Sequence, residues 1–189
     1  MEDISIAEMT TQHDDAMQEY PERYMADRAW DLAFILEKLR DTECSLLRET
    51  RFFDSSTLLH VAASSGHDQI VEAILSKQQC QELLMAKNSS GDLPLHIAVN
   101  AGHLRVVQQL VNFNVAVACK LLKEKNKEGI TPLHLALTKK DKHREDNYTN
   151  VAKFLTDTGR KDGELLEIMK EFGKSLSRYN ARLVVLFKK

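Results

Sequence analysis

The sequence predicts an all-α solenoid of stacked helix-turn-helix units joined by short hairpin-like loops. Three observations carry this prediction. First, one unit recurs three times in register: Thr57–His67 (TLLHVAASSGH), Leu93–His103 (LPLHIAVNAGH) and Thr131–Lys140 (TPLHLALTKK). The histidines of these copies, His60, His96 and His134, lie 36 and then 38 residues apart, a spacing typical of repeat arrays. Second, each copy leads into another apolar stretch: Ile70, Val71, Ile74 and Leu75, then Val106, Val107, Leu110 and Val111, then Val151, Phe154 and Leu155. Third, one such unit cannot bury its apolar stripe alone, whereas stacked copies can.

Within a unit, Thr or Pro opens the first helix, because Pro at the first helical position loses no bonded N–H. Leu, His and Ala follow at helical spacing. Gly66 and Gly102 end that helix, where a left-handed backbone is cheapest. The second helix carries apolar pairs that form a broad stripe toward the neighbouring repeat. Between units, Asn88–Asp92 and Asn126–Ile130 are turn-rich and suit a tight extended loop. Repeats are expected at about 51–86, 87–124 and 125–157.

Shifting the pattern back by 36 residues exposes a degenerate unit at 21–50. Pro21 falls under Thr57, Ala26 under Ala62, Phe34 under Ile70, Ile35 under Val71 and Leu39 under Leu75. Tyr24 replaces the histidine and Trp30 the glycine. This reads as a capping repeat, atypical because one face meets water. The repeat domain thus spans 21–155, after a flexible acidic tail at 1–20. Beyond it, Gly159 and Gly163 break the chain. Leu165, Leu166, Met169 and Phe172 then share one helical face, and Gly173–Lys189 is basic. Residues 158–189 read as a capping helix and a tail.

Composition excludes several classes. Net charge is −2, which gives no global attraction to nucleic acid or anionic membranes. The three cysteines, Cys44, Cys80 and Cys119, are odd in number and lack CxxC spacing, so a disulfide scaffold or zinc knuckle is not expected. Met1–Tyr20 holds six acids and no Lys or Arg, unlike a signal or transit peptide. The glycosylation patterns at Asn88 and Asn147 therefore read as accidental. Apolar runs such as Leu183–Phe187 are far too short to span a membrane.

Two departures stand out. Ser55 occupies the position of Gly91, which favours positive φ, so the first loop is expected to be altered or strained. The third copy has Lys140 in place of the helix-ending glycine. It also has an insertion: Ala98 to Val107 is nine residues, whereas Ala136 to Val151 is fifteen. The extra residues fall in the charged run Lys139–Asn147, read as a solvated loop.

The signature TPLHxA, complete at Thr131–Ala136 and nearly so at Leu93–Ala98, resembles that of the ankyrin repeat. The stretches Leu58–His67, Leu83–His96 and Lys125–His134, with Leu46 and Leu47 before the first unit, are further similar to plant ankyrin proteins of the accelerated-cell-death type. That resemblance implies a cytosolic array, defence and cell-death signalling, and plasma-membrane anchoring through helices that follow later repeats. The sequence as given contains neither, so the expectation is a cytoplasmic protein, a short paralogue or a shortened product.

Candidate chemistry is sparse. His60, His96 and His134 recur once per repeat, and helix packing at about 8–10 Å keeps them from sharing a metal held at about 2 Å. The resemblance implies a structural role for them, bonding backbone at the loop bases and tying repeats together. His67 and His103 receive the same reading. No Walker A, GxSxG, GxGxxG or HExxH pattern occurs. No catalytic residue, cofactor or metal is expected, and no aromatic stripe supports nucleic-acid binding.

Recognition of a protein partner remains. By analogy with the family, a concave face would present Phe53, Asp54, Ser56, Ser64 and Ser65, then Ser89, Ser90, Asp92, Asn100 and Ala101, then Lys127, Glu128, Ile130, Thr138 and Lys139. Phe53 and Ile130 are its apolar candidates. Pairing with a second copy or a longer relative is a further expectation. Membrane-associated regulation through the basic 173–189 tail is the alternative reading.

Overall fold

A computed structural model describes residues 54–138 and 145–159. The expected cap at 21–50, the tail at 1–20, all of the expected 158–189 segment except Thr158 and Gly159, which continue the last helix, and most of the charged insertion lie outside these residues. Among the described residues, seven α-helices and no strand occur. They are α1 (Leu58–Ser65), α2 (Asp68–Leu75), α3 (Pro94–Ala101), α4 (Leu104–Asn112), α5 (Val115–Lys123), α6 (Pro132–Thr138) and α7 (Glu145–Gly159). A 3-10 stretch, Gln78–Met85, follows α2.

The helices stack in two rows. The first helices, α1, α3 and α6, touch in sequence, as do the second helices α2, α4 and α7. Each first helix also packs on its own second helix. Between the rows lies one continuous core. Leu59, Ala62, Ile70, Val71 and Ile74 belong to the first repeat, and Leu95, Ala98, Val99, Val106, Val107 and Leu110 to the second. Ala136, Leu137, Val151, Ala152 and Leu155 extend it into the third. Each fully buried Val, Leu or Ile contributes about 1.5–3 kcal/mol, so the apolar stripe holds the rows together.

Every first helix starts the same way. Thr57, Leu93 and Thr131 precede the helix, and the imidazole Nδ1 three residues on accepts their backbone N–H. The histidine thereby satisfies a donor that a Glu or Gln serves in an ordinary capping box. Pro94 and Pro132 supply the pre-set φ of the first helical position.

The helix ends also repeat. Gly66 and Gly102 adopt φ of 75° and 76°. Their missing side chains leave room for a ring from the next repeat. A Cβ at Gly66 would lie 2.6 Å from His103 Nδ1, and one at Gly102 would lie 3.3 Å from Tyr148 Cε1. Ser55 takes φ 62° where Gly91 and Gly129 take 77° and 76°, so the first loop keeps the shape of the others with a residue that strains to adopt it.

The structure adds a third helical segment to each linker, which the two-helix reading of the repeat did not include. Leu83 and Leu84 in the 3-10 stretch are buried, as are their counterparts Leu121 and Leu122 in α5. Burying that apolar pair folds the linker back: the 3-10 stretch contacts α2 and α3, and α5 contacts α4, α6 and α7. The structure also corrects the end of the charged insertion. Glu145–Asn147 are helical and form the start of α7.

The two kinds of glycine differ measurably. Gly129→Ala meets open space and bears only the cost of positive φ, about 1–2 kcal/mol. Gly66→Ala bears that cost and drives a methyl into the His103 ring. Urea unfolding should show Gly66→Ala as the more destabilising of the two by at least about 1 kcal/mol.

Candidate functional site

Two surfaces carry the chemistry of this chain: the joints between repeats, and the row of loop tips with the first-helix ends beside them. Each loop is built around one Asn or Asp. Asn88 Oδ1 accepts the N–H groups of Ser90 (3.0 Å) and Asp92 (2.9 Å), and its own N–H donates to the Asp92 carbonyl at 3.0 Å. Asn126 repeats this with Glu128 (3.0 Å) and Ile130 (2.9 Å), and its N–H donates to the Ile130 carbonyl at 3.0 Å. In the first loop Asp54 serves, with Oδ1 accepting the Ser56 N–H and Oδ2 the Ser56 hydroxyl. A side-chain oxygen that closes an Asx turn explains why Asn and Asp stand at these positions.

Adjacent loops are then fastened to one another. The Ser89 N–H donates to the Asp54 carbonyl at 2.7 Å, and the Lys127 N–H to the Ser90 carbonyl at 3.0 Å. The repeated histidines complete each joint. With Nδ1 accepting a backbone N–H, the ring proton sits on Nε2. His60 Nε2 donates to the Asp92 carbonyl at 3.0 Å and His96 Nε2 to the Ile130 carbonyl at 3.1 Å. Asn126 Nδ2 donates to Asp92 Oδ1 at 2.9 Å in the second joint.

A further bond closes the far end of each joint. His103 Nε2 donates to the Ser64 carbonyl at 3.1 Å. The equivalent acceptor one repeat on is the Asn100 carbonyl, and Tyr148 Oη donates to it at 2.9 Å. Tyr148 therefore does in the third repeat what His103 does in the second. Sequence reasoning missed it, because the insertion displaces Tyr148 by one position from the aligned histidine. The signal present was a large ring with a donor tip placed to lie over Gly102.

Both ring nitrogens of His60 and His96 are thus engaged by backbone. Among the described residues no group of three or more His, Cys, Asp or Glu could hold a metal ion. Burial lowers the His96 pKa from its ordinary value, against the Ile130 carbonyl, which raises it. Burial, aided by the Lys125 charge, lowers His134 to about 4.

The residues expected on the binding face separate into three groups. Asp54, Ser64, Ser65, Ser89, Ser90, Asn100, Lys127, Glu128 and Thr138 are exposed. Asp92, Ala101 and Ile130 are half-buried, and Asp92 and Ile130 are occupied in the joints. Ser56 is a correction: it is 6% exposed, and its hydroxyl and N–H are taken up by the Asp54 carboxylate that closes the loop over it. Phe53 and Lys139 lie outside the described residues. Asn88, at the first glycosylation pattern, is buried at the turn it closes.

A helix pair per repeat, an Asn-closed loop and a histidine clip define the class as an ankyrin-type array. The family model for ankyrin repeats, in three copies, matches residues 31–120 and 59–164. The chain belongs to the ankyrin-repeat family.

His96→Ala removes one partner from the Leu93 N–H and another from the Ile130 carbonyl, both at a buried joint. Stability should fall by about 1–3 kcal/mol in urea titration, the cost of the orphaned Leu93 N–H, because the Ile130 carbonyl keeps the Asn126 N–H. The pH dependence has a fixed sign. A histidine whose folded pKa is depressed stabilises the fold above its unfolded value near 6.5, and that contribution is lost as pH falls through the folded value, about 4 for His134. The urea midpoint should therefore drop between pH 6.5 and pH 4, and His134→Gln should flatten part of that slope.

Proposed function

We propose that this chain is a non-catalytic adaptor that binds a protein partner along its loop tips and first-helix ends. One observation carries the reading: exposed polar residues recur at matching positions of the loops and first helices in successive repeats. Ser64 and Ser65, then Asn100, then Thr138 sit at the ends of α1, α3 and α6, with Ser89, Ser90, Lys127 and Glu128 on the loops. The clipped joints hold these positions rigidly, so little ordering cost arises on binding. Ankyrin arrays are interaction modules, which supports a protein partner over a small molecule or nucleic acid. No helix among the described residues is long and apolar enough to cross a membrane.

The narrower setting is also a proposal. The similarity of Leu58–His67, Leu83–His96 and Lys125–His134 to plant accelerated-cell-death-type ankyrin proteins supports a cytoplasmic role in defence signalling. Polar side chains dominate the exposed row, which suits a hydrogen-bonded, wet interface of modest affinity.

The test compares wild type with the triple variant Ser90→Arg, Asn100→Arg and Lys127→Glu by affinity capture and mass spectrometry, after a matching helical spectrum. All three side chains are exposed, so the fold should persist. Proteins captured by wild type and lost with the variant are the expected result. Identical captured sets would remove the face from consideration.

A further inference from the structure

A charged edge lies where the chain enters the loops, at the residues just before Asn88 and Asn126. Lys87 and Lys125 stand there 38 residues apart, and Arg51 precedes Lys87 by 36 residues in the sequence. Arg51 lies outside the described residues. Lys87 and Lys125 are both exposed and adjoin directly, for Lys87 Nζ donates to the Lys125 carbonyl at 3.4 Å. Lys87 also pairs with Glu124 Oε2 at 2.9 Å. Lys120 is exposed one helical turn before Glu124, whose N–H donates to the Lys120 carbonyl at 3.0 Å. One lysine thus pairs with Glu124, and two more stand one residue and one helical turn from it in the chain, in a protein whose net charge is −2. The field of the Lys125 ammonium also reaches His134, where it is the second cause of the lowered pKa.

We propose that the Lys87, Lys120 and Lys125 edge is a docking site for an acidic, extended peptide segment of a partner protein. This goes beyond the loop-tip reading and does not depend on it. Charge complementarity names the sign of the partner. Repeat stacking names its shape: rungs recur at about the 8–10 Å of packed helices, and a polyproline II segment advances about 9.3 Å per three-residue turn. Every third side chain of such a segment therefore faces the next rung. The Lys87–Glu124 pair does not block the site, because an exposed pair of this kind is worth little and exchanges readily for a stronger acidic array.

The same edge does not suit a lipid surface. Interfacial membrane segments set apolar side chains beside their basic ones. Between residues 117 and 128 no apolar side chain is exposed, and Leu121 and Leu122, between the lysines in sequence, point into the core.

The probe is a short fluorescein-labelled peptide with glutamate at every third position, read by fluorescence anisotropy on the full chain. Wild type should bind it saturably at low salt and weaken steeply as salt rises. Lys120→Glu with Lys125→Glu should weaken binding at least about tenfold, since several exposed pairs are lost and replaced by repulsion. Lys120→Gln with Lys125→Gln, checked for an unchanged helical spectrum and melting temperature, should weaken it less but clearly. Lys153→Glu, exposed on α7, should leave it unchanged. Absence of saturable binding would overturn the proposal. So would full affinity in the glutamine pair, equal weakening by Lys153→Glu, or binding to phosphatidylserine vesicles without binding to the peptide. None of these variants touches the three residues of the capture experiment, so the two readings stand or fall separately.

Discussion

One neutral imidazole fastens each repeat to the next. Its Nδ1 takes the N–H that the start of its own helix would leave orphaned, and its Nε2 proton goes to a carbonyl of the following loop. These two bonds couple three things that would otherwise vary independently: the entry of the first helix, the tautomer of the ring and the height of the neighbouring loop. Since the ring is buried, each bond is costly to break. The apolar core supplies most of the free energy of stacking. It is non-directional, however, and would tolerate some sliding. The imidazole bonds are directional, so they fix the register in which the apolar stripes meet.

The other specialised positions follow from that register. Once loops are held at one height, the Ser89 and Lys127 N–H groups meet the Asp54 and Ser90 carbonyls. Once first helices are held side by side, their terminal glycines sit beneath a ring of the next repeat. That leaves no room for a side chain at Gly66, and only a tight fit at Gly102. Gly129, at the last described loop, has the same φ with nothing above it. The difference separates a glycine required by backbone shape alone from one required by shape and by a neighbour.

The exposed chemistry is a by-product of the same stacking. Several positions that face water in one repeat also do so in the next, as Ser64, Asn100 and Thr138 do, so equivalent positions form rows with a spacing set by the helices. The polar row of the loop tips and the lysines just before the loops both arise in this way. Each presents repeated groups on a rigid support, which is how a repeat array makes a binding surface without a pocket.

Much of this was legible in the residues alone. The 36- and 38-residue spacing, the TPLHxA runs and the paired apolar stripes determine two helices per repeat, their order and the core residues, because local periodicity decides which face each helix buries. Positive φ at Ser55 could be read from its place under Gly91. What the sequence left open needed distances between repeats. Helical linkers at 78–85 and 115–123 form because Leu83, Leu84, Leu121 and Leu122 find a core built by other segments. Ser56 is buried, its hydroxyl taken up by the Asp54 carboxylate that closes the loop over it. Tyr148 takes the place of a histidine, and Lys87 meets Lys125, only when chain segments about forty residues apart are brought together. The residues set the repeat; contact between repeats decided which of their side chains hold the stack and which remain for a partner.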